Sequence, residues 1–250
     1  MNSLKISIIT VVYNAESTIA QCVESVLSQE HPDIEYIVVD GNSKDNTINV
    51  LEPYRNKISH LVSEPDKGLY DAMNKGIRLA TGDIVGILNA DDFYASNQVL
   101  NYVNSQFTNS DIEGLCTDVA IYKNENFTKP FRYYSAQSFS TWQFIIGIQP
   151  PHPGFFVKKN CYDKFGLYDP EYRIAGDFEL LLRFIKINKI KTVYNNFLSV
   201  KMRDGGLSAS GFKSKVKMNK EDLKALKKHG IFSFGLLIWT KYIFKLKQLF

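Results

Sequence analysis

Ile84-Val85-Gly86-Ile87-Leu88-Asn89-Ala90-Asp91-Asp92 is an apolar run that stops abruptly at two adjacent acids. A short apolar run of this kind predicts a strand buried on both faces, and carboxylates at its end would stand in the crevice where open α/β sheets bind ligands. Two other segments repeat the design. Ile34 to Asp40 (IEYIVVD) ends in an acid before the turn-rich Gly41-Asn42-Ser43-Lys44-Asp45. Lys5 to Val12 (KISIITVV) ends at Tyr13 and Asn14. Three strand ends are therefore expected to converge on one site. Ser17 is placed to cap a following helix that carries Ile19, Val23, Val26 and Leu27.

Strand and helix signals alternate through the first half, with strands expected near residues 5–12, 34–39, 59–63, 83–88 and 115–121. A helix near Gly68 to Ala80 carries Leu69, Met73, Ile77 and Ala80 at helical spacing and ends before Gly82. The alternation predicts an α/β, Rossmann-like, mostly parallel sheet flanked by helices. Phe127 to Pro153 departs from it. Rich in aromatics (Phe131, Tyr133, Tyr134, Phe139, Trp142, Phe144), it is expected to form a partner-binding wall rather than another βα unit.

With 250 residues, 44% of them hydrophobic, the chain can bury a substantial core. Its three cysteines (Cys22, Cys116, Cys161) are widely spaced, with no C-x-x-C pair and no early run resembling a signal peptide. A reducing cytoplasm is expected, with each thiol simply packed. The net charge of +4 is unevenly spread: Lys213 to Phe250 holds ten lysines against Glu221 and Asp222. In Ile231 to Phe250, helical spacing would align Leu236, Trp239, Ile243, Leu246 and Phe250 on one stripe and Lys241, Lys245 and Gln248 on another. This basic amphipathic extension suits the surface of an anionic membrane, or a helix docked on the domain with its lysines in water. Its apolar stretch before Lys241 is too short to span a bilayer. Nucleic acid is not expected as a partner, since no nucleic-acid module accompanies the lysines. The absence of G-x-G-x-x-G after the first strand, and of G-x-x-x-x-G-K-[ST] anywhere, speaks against dinucleotide oxidoreductases and P-loop nucleotidases.

The ordered segments SIITVVYNAESTIAQCVESVLSQ (7–29), EYIVVDGNSKDNT (35–47) and SEPDKGLYDAMNKGIRLATGDIVGILNADD (63–92) resemble the successive motifs of family-two glycosyltransferases, which have the GT-A nucleotide-sugar fold. PPHPGFFVKKNCYDKFG (150–166) and IAGDFELLLRF (174–184) are similar to the family's acceptor-side segments. The resemblance implies a nucleotide-sugar-binding half over residues 1–125, an acceptor half over 126–212 and a basic extension over 213–250.

It also implies roles for particular residues. Asp40 would accept the imide N–H of uracil, with Thr10, Tyr13 and Glu16 lining the base and ribose pocket. Asp66, Gly68, Asp71 and Asn74 match positions near the donor, and Lys75 could meet a phosphate. Asp91 and Asp92 resemble the metal-binding D-x-D motif, implying Mn²⁺ or Mg²⁺ against the diphosphate. Asn89 stands where the fuller D-x-D-D pattern has an acid, and could donate to a sugar or ribose oxygen. Asp177 aligns with the catalytic carboxylate of the family's E-D motif, with Gly176 in place of the preceding acid. His152 and Trp142 are candidates for acceptor or phosphate contact. Arg203 could clamp phosphate from the loop Arg203-Asp204-Gly205-Gly206-Leu207-Ser208.

The expected activity is metal-dependent, inverting transfer of a sugar, foremost from a UDP-sugar, to a hydroxyl of a glycan or lipid-linked oligosaccharide. Bacterial surface polysaccharide assembly at the inner membrane face is the setting that the family implies. The competing expectation is a non-catalytic nucleotide- or glycan-binding protein, with Asn89 and Gly176 as marks of lost chemistry.

Overall fold

The computed structural model describes residues 3–123, 126–205 and 211–246. Its strands are β1 (Ile6–Val12), β2 (Ile34–Asp40), β3 (His60–Ser63), β4 (Ile84–Ile87), β5 (Phe93–Tyr94), β6 (Gly114–Tyr122), β7 (Arg132–Tyr134), β8 (Phe155–Lys158) and β9 (Thr192–Arg203). They form one sheet in the order β3-β2-β1-β4-β8-β6-β9-β5, with β7 beside β6. β1, β2, β3 and β4 are mutually parallel. β8 runs against both β4 and β6, so β6 and its parallel neighbour β9 share the direction of β4. The five expected strands all form. β8 and β9 extend the sheet with residues from the second half of the chain, and neither was expected.

Nine α-helices flank it among the described residues: α1 (Ile19–Leu27), α2 (Thr47–Leu51), α3 (Leu69–Leu79), α4 (Val99–Asn109), α5 (Lys159–Phe165), α6 (Gly176–Leu181), α7 (Phe212–Lys228), α8 (Gly235–Trp239) and α9 (Lys241–Leu246). All seven residues of β1 are buried, as a central strand covered on both faces requires. Alternate residues serve opposite cores. Ile9 and Val11 pack with Met73 and Ile77 of α3 and Phe178 of α6. Ile8 and Val12 pack with Val23 of α1 and Val103 of α4. Gly76 brings α3 close to the sheet, since a Cβ there would stand 2.3 Å from Ile9 Cγ2.

Three local expectations are corrected. Ser17 does not cap α1, which starts after Thr18 without a side-chain cap; the Thr18 hydroxyl turns back to the Ala15 carbonyl. The segment 127–153 adds no βα unit, and two of its aromatics cannot serve as a wall: Phe139 and Phe144 are buried edge-to-face at 5.0 Å, whereas Phe131, Tyr133 and Tyr134 are partly buried. Trp142 remains half exposed and packs against Phe244 of α9.

The extension is the third. Residues 231–246 do not form one helix, because α8 and α9 break at Thr240 and Ile238 is the side chain that docks, fully buried. That rotation carries Lys241 inward. It is buried and paired with the buried Asp222 of α7 at 2.5 Å, since a carboxylate withdrawn from water needs a counter-ion. Phe232, Phe234, Leu236, Trp239 and Ile243 stay exposed. Gln248, Phe250 and the side chains of Lys245 and Leu246 lie outside the described residues, as do Gly206, Leu207 and Ser208.

Candidate active site

The carboxyl ends of β1, β2 and β4 lie side by side, with Val12 in register with Asp40 and Ile9 with Ile87. β8 opposes β4 with Phe156 against Gly86. The turn His152–Gly154 that leads into β8 therefore reaches the same sheet edge as Asn89–Asp92. β9 completes the edge from the far side: Lys201 pairs with Phe93 of β5, and Arg203 follows two residues later. Strand register thus assembles residues from five separated parts of the chain.

Tyr13 is 61% exposed at the mouth and is followed by Asn14 in the left-handed region at φ 50°. The loops after β1 and β2 are stitched together: Asn14 N–H donates to Ser43 Oγ at 2.8 Å, Lys44 N–H to Asn14 Oδ1 at 2.8 Å and Asn46 N–H to Glu16 Oε2 at 2.8 Å. Asp40 is buried, and its carboxylate accepts the Ser43 and Ser63 hydroxyls at 2.5 and 2.7 Å. Gly41 sits between Tyr13 and Asp66, where a Cβ would lie 2.5 Å from Asp66 Oδ2. Asp66, Gly41, Tyr13 and Asp40 thus share one wall. Thr10 is not part of it. Fully buried, it contacts Cys22 Sγ at 3.6 Å and accepts the Tyr36 hydroxyl at 3.1 Å, so it supports β1 from inside the core.

The helix α3 divides its candidates. Gly68 begins it at φ 126°, after its N–H meets Asp66 Oδ1 at 2.8 Å. Asp71 caps the same turn by accepting Lys67 N–H at 3.0 Å. Asn74 turns away from the cleft: its amide donates to Tyr168 O at 2.8 Å and accepts Tyr168 N–H at 2.9 Å. Lys75 ties down Pro65 O at 2.8 Å and Glu64 at 2.9 Å. The common helix face expected for Asp71, Asn74 and Lys75 serves loop anchoring, because each finds a nearer backbone or carboxylate partner.

The acids after β4 differ sharply. Asp91 is partly exposed, whereas Asp92 is fully buried. Burial first, then the neighbouring Asp91 charge, pushes the Asp92 carboxyl well above the usual carboxylate range. Asn89 Nδ2 donates to Asp92 Oδ2 at 3.3 Å, so Asn89 holds the second acid in place. Asp92 Oδ1 and Asn89 Oδ1 are buried without hydrogen-bond partners. Arg203 donates to the Asp91 carbonyl at 2.8 Å and to Gln21 Oε1, and lies over the Phe93 and Phe127 rings.

An orphaned hard oxygen beside a partly exposed carboxylate fits a small divalent cation. No cluster of three His, Cys, Asp or Glu residues capable of holding a metal occurs among the described residues. That donor set suits Mg²⁺ or Mn²⁺ of the kind held by one or two carboxylates with substrate phosphates and water.

Asp177 lies at the start of α6, its side chain 15% exposed. The Tyr70 hydroxyl of α3 is shared between Ile174 O at 2.7 Å and Asp177 Oδ1 at 3.1 Å. Gln149 Nε2 donates to Asp177 Oδ2 at 2.5 Å, and His152 Nδ1 stands 3.0 Å from the same oxygen. Burial raises the carboxyl, but His152 and Gln149 outweigh it and hold it at about 2, so Asp177 is ionised. The segment bearing it is pinned by Glu221 of α7, which accepts the N–H groups of Arg173 at 3.1 Å and of Ile174 and Ala175 at 2.9 Å. Tyr70, Gln149, Gln21 and Glu221 were missed in the sequence, where nothing separates a Tyr or Gln that touches an acid from one that packs. Only the position of Tyr70 inside DKGLYDAMNKG was a hint.

Residues 7–172 match the model of the family described as glycosyl transferase family 2. The chain is 31% identical over 180 residues to an uncharacterized glycosyltransferase of Mycobacterium tuberculosis, covering 71% of this chain and 68% of that one. It is 28% identical over 206 residues to a PGL/p-HBAD biosynthesis glycosyltransferase of the same species, covering 81% and 78%. S. aureus TarS in complex with UDP-GlcNAc superposes with a TM-score of 0.69 at 17% identity, covering 92% of this chain and 68% of that one. A Pyrobaculum calidifontis mannosyltransferase in complex with GDP-Man and Mn²⁺ gives 0.64 at 16% identity, covering 91% and 64%. With a GT-A fold, strand ends that gather acids at one cleft and this match over most of its length, the chain belongs to glycosyltransferase family 2.

Proposed function

We propose that this glycosyltransferase moves a sugar from a UDP-sugar to a hydroxyl of a glycan or lipid-linked oligosaccharide, with inversion at the anomeric carbon. The observation that carries the reading is an ionised carboxylate, Asp177, beside the turn before β8 at the same sheet edge as the partly exposed Asp91, which has Asp92 buried behind it and Arg203 on its carbonyl. Inversion needs a base on the acceptor side and charge neutralisation on the leaving-group side. Both kinds of group are present. Tyr13 offers a ring to the base, and Asp40 and Asp66 line the wall beside it. Asp91, with the Asp92 oxygen behind it, would hold Mn²⁺ or Mg²⁺, which when bound neutralises charge on the departing diphosphate. The guanidinium-bearing end of β9 brings Arg203 to the same side.

Gly176 supports catalysis rather than lost chemistry, since the Tyr70 ring that holds Asp177 fills the space a side chain there would need. The exposed Phe232, Phe234, Leu236, Trp239 and Ile243, with the lysines of α7, favour peripheral contact with an anionic membrane and a lipid-linked acceptor. No helix among the described residues is long and apolar enough to cross a membrane. Surface polysaccharide assembly on the inner face of the bacterial membrane fits such an acceptor.

The test is release of nucleoside diphosphate from UDP-, dTDP- and GDP-sugars with lipid-linked and glycan acceptors, in Mn²⁺, Mg²⁺ or chelator. Metal-dependent release from a UDP-sugar, lost in Asp91→Asn and Asp177→Asn, is expected. Nucleotide binding without turnover on any acceptor would refute the reading.

A further inference from the structure

The loop from Asp169 to Ala175 runs straight into α6 and so decides where Asp177 stands. One face of α7 clamps it along its length. Asp169 pairs with Lys228 at 2.8 Å, Glu171 with Lys224 at 2.7 Å, and the N–H groups of Arg173, Ile174 and Ala175 with Glu221. Glu221, Lys224 and Lys228 follow helical spacing, so they share one side of α7, and the loop descends that side as the helix climbs it. Tyr172 is buried between them, its ring 4.9 Å from Lys224 Nζ and 5.9 Å from Lys228 Nζ.

The three attachments are not equal. Lys224 and Glu171 are 49% and 72% exposed, and a pair so open to water contributes about 0–1 kcal/mol. Glu221 holds the backbone itself. Its Oε2 accepts three consecutive N–H groups, at 3.1 Å from Arg173 and 2.9 Å from Ile174 and Ala175, and charge-assisted bonds of this kind are the strong ones. Ala175 is buried, so its N–H has no ready substitute in water. The Ile174 carbonyl accepts the Tyr70 hydroxyl at 2.7 Å, the same hydroxyl that reaches Asp177 Oδ1. The next acid on α7 backs the other support of Asp177. Asp222 and its partner Lys241 crowd Gly147 at φ 74°, where a Cβ would stand 3.1 Å from Asp222 Oδ2 and 3.4 Å from Lys241 Cδ. Two residues on, Gln149 donates to Asp177 Oδ2.

We propose that Glu221 is a positioning residue for the transfer reaction: by fixing the backbone of residues 173–175 it holds Asp177 where the acceptor hydroxyl gives up its proton. This rests on the transferase reading above, with Asp177 as the base. Glu221 touches no reacting group and acts through Asp177 alone. It lies beyond the residues 7–172 that match the family model, on the basic extension, which thereby serves the catalytic site as well as a membrane surface. A base must stay within hydrogen-bond reach of the proton it takes, so a displacement of about 1 Å in the loop would cost on the order of 100-fold in rate.

The test compares wild type, Glu221→Ala, Glu221→Gln and Glu221→Asp as the full chain, with the UDP-sugar and acceptor that turn over presented in detergent so that no membrane takes part. Glu221→Ala is expected to lower kcat about 10- to 100-fold and to leave UDP affinity by calorimetry within about two-fold, since the loops about Tyr13 and Asp40 are held by their own bonds. Glu221→Gln keeps an acceptor oxygen at the same reach and should restore kcat to within about five-fold of wild type. Glu221→Asp keeps the charge but draws it back by one methylene, and should be slower than Glu221→Gln. The reverse order of these two overturns the proposal, and needs no folded alanine variant. Hydrogen exchange at the Ile174 and Ala175 amides should quicken in Glu221→Ala. Quickened exchange with kcat within two-fold of wild type would make Glu221 a clamp for the fold alone and overturn the proposal, as would kcat and UDP affinity falling together without rescue by glutamine. A wild type that releases no diphosphate from any donor refutes the transferase reading itself, whatever the exchange shows.

Discussion

Gly176→Ala is expected to destabilise the protein, although alanine is the better helix former. Gly176 is the first residue of α6, and its φ is not in the left-handed region, so the backbone accepts a side chain. Alanine there would gain at most about 1 kcal/mol in helix propensity. Against this, the new Cβ would lie 2.6, 2.7 and 2.8 Å from Cε2, Cζ and Cδ2 of Tyr70, where ordinary contact begins at 3.4 Å. The ring cannot swing aside cheaply. It is 4% exposed, stacked on Tyr168 at 5.4 Å and tethered through its hydroxyl to Ile174 O and Asp177. Overpacking costs about 1–3 kcal/mol, and with three ring atoms under 3.0 Å on a tethered ring the upper part, about 2–3 kcal/mol, applies, leaving a net loss of about 1–2 kcal/mol. For a chain of this length that corresponds to a fall in Tm of about 2–8 °C. Thermal unfolding followed by far-ultraviolet circular dichroism measures it. In a Tyr70→Leu background, which removes the ring, the sign should reverse and Gly176→Ala should raise Tm. A Gly176→Ala single variant as stable as wild type would refute the steric account and reopen the view that the missing acid marks lost chemistry.

Two buried carboxylates should set the acid limb of stability. For both Glu35 and Glu179 burial acts upward, but hydrogen bonds outweigh it, from Ser7 and Thr81 at Glu35 and from His229 and Arg183 at Glu179. Each is held at about 2 against an ordinary 4.5. A depressed folded-state value means the contribution is complete above about pH 4.5 and is lost as pH falls toward 2. Each shift is worth about 3 kcal/mol at most, and Glu179→Gln should flatten the urea-midpoint profile in that window. Asp91→Asn should weaken Mn²⁺ affinity measured by calorimetry in the presence of UDP. Equal Mn²⁺ affinity in the variant and the wild type would contradict this. Leu236→Glu with Ile243→Glu should reduce cosedimentation with anionic vesicles while leaving transfer to a soluble acceptor unchanged, and undiminished cosedimentation would exclude the extension as the membrane-facing surface.

The first half of the fold was legible because buried parallel strands are near-continuous apolar runs, and their ends can be read one after another along the chain. The acids at those ends were therefore identifiable from the order of residues alone, and Asp91, Asp92, Asp40 and Asp177 all stand at the sheet edge or beside it. β8 and β9 were not legible. They enter the sheet through long-range pairing, and their short or half-exposed runs carry no periodicity that distinguishes them. The same limit governs the side chains. Thr10, Asn74 and Lys75 have residue types and spacing that suit a donor pocket, yet each is satisfied by a partner that folding brings within hydrogen-bond reach. Lys241 looked like a solvent-facing lysine until the break at Thr240 turned it toward Asp222. Which polar atom faces the cleft depends on which of its neighbours reaches it first. Apolar periodicity along the chain determined an α/β sheet with acids at its strand ends, and the ordered motifs determined its family; the long-range packing of α3, α6 and the turn before β8 decided that Asp177 would share its charge with Tyr70, Gln149 and His152.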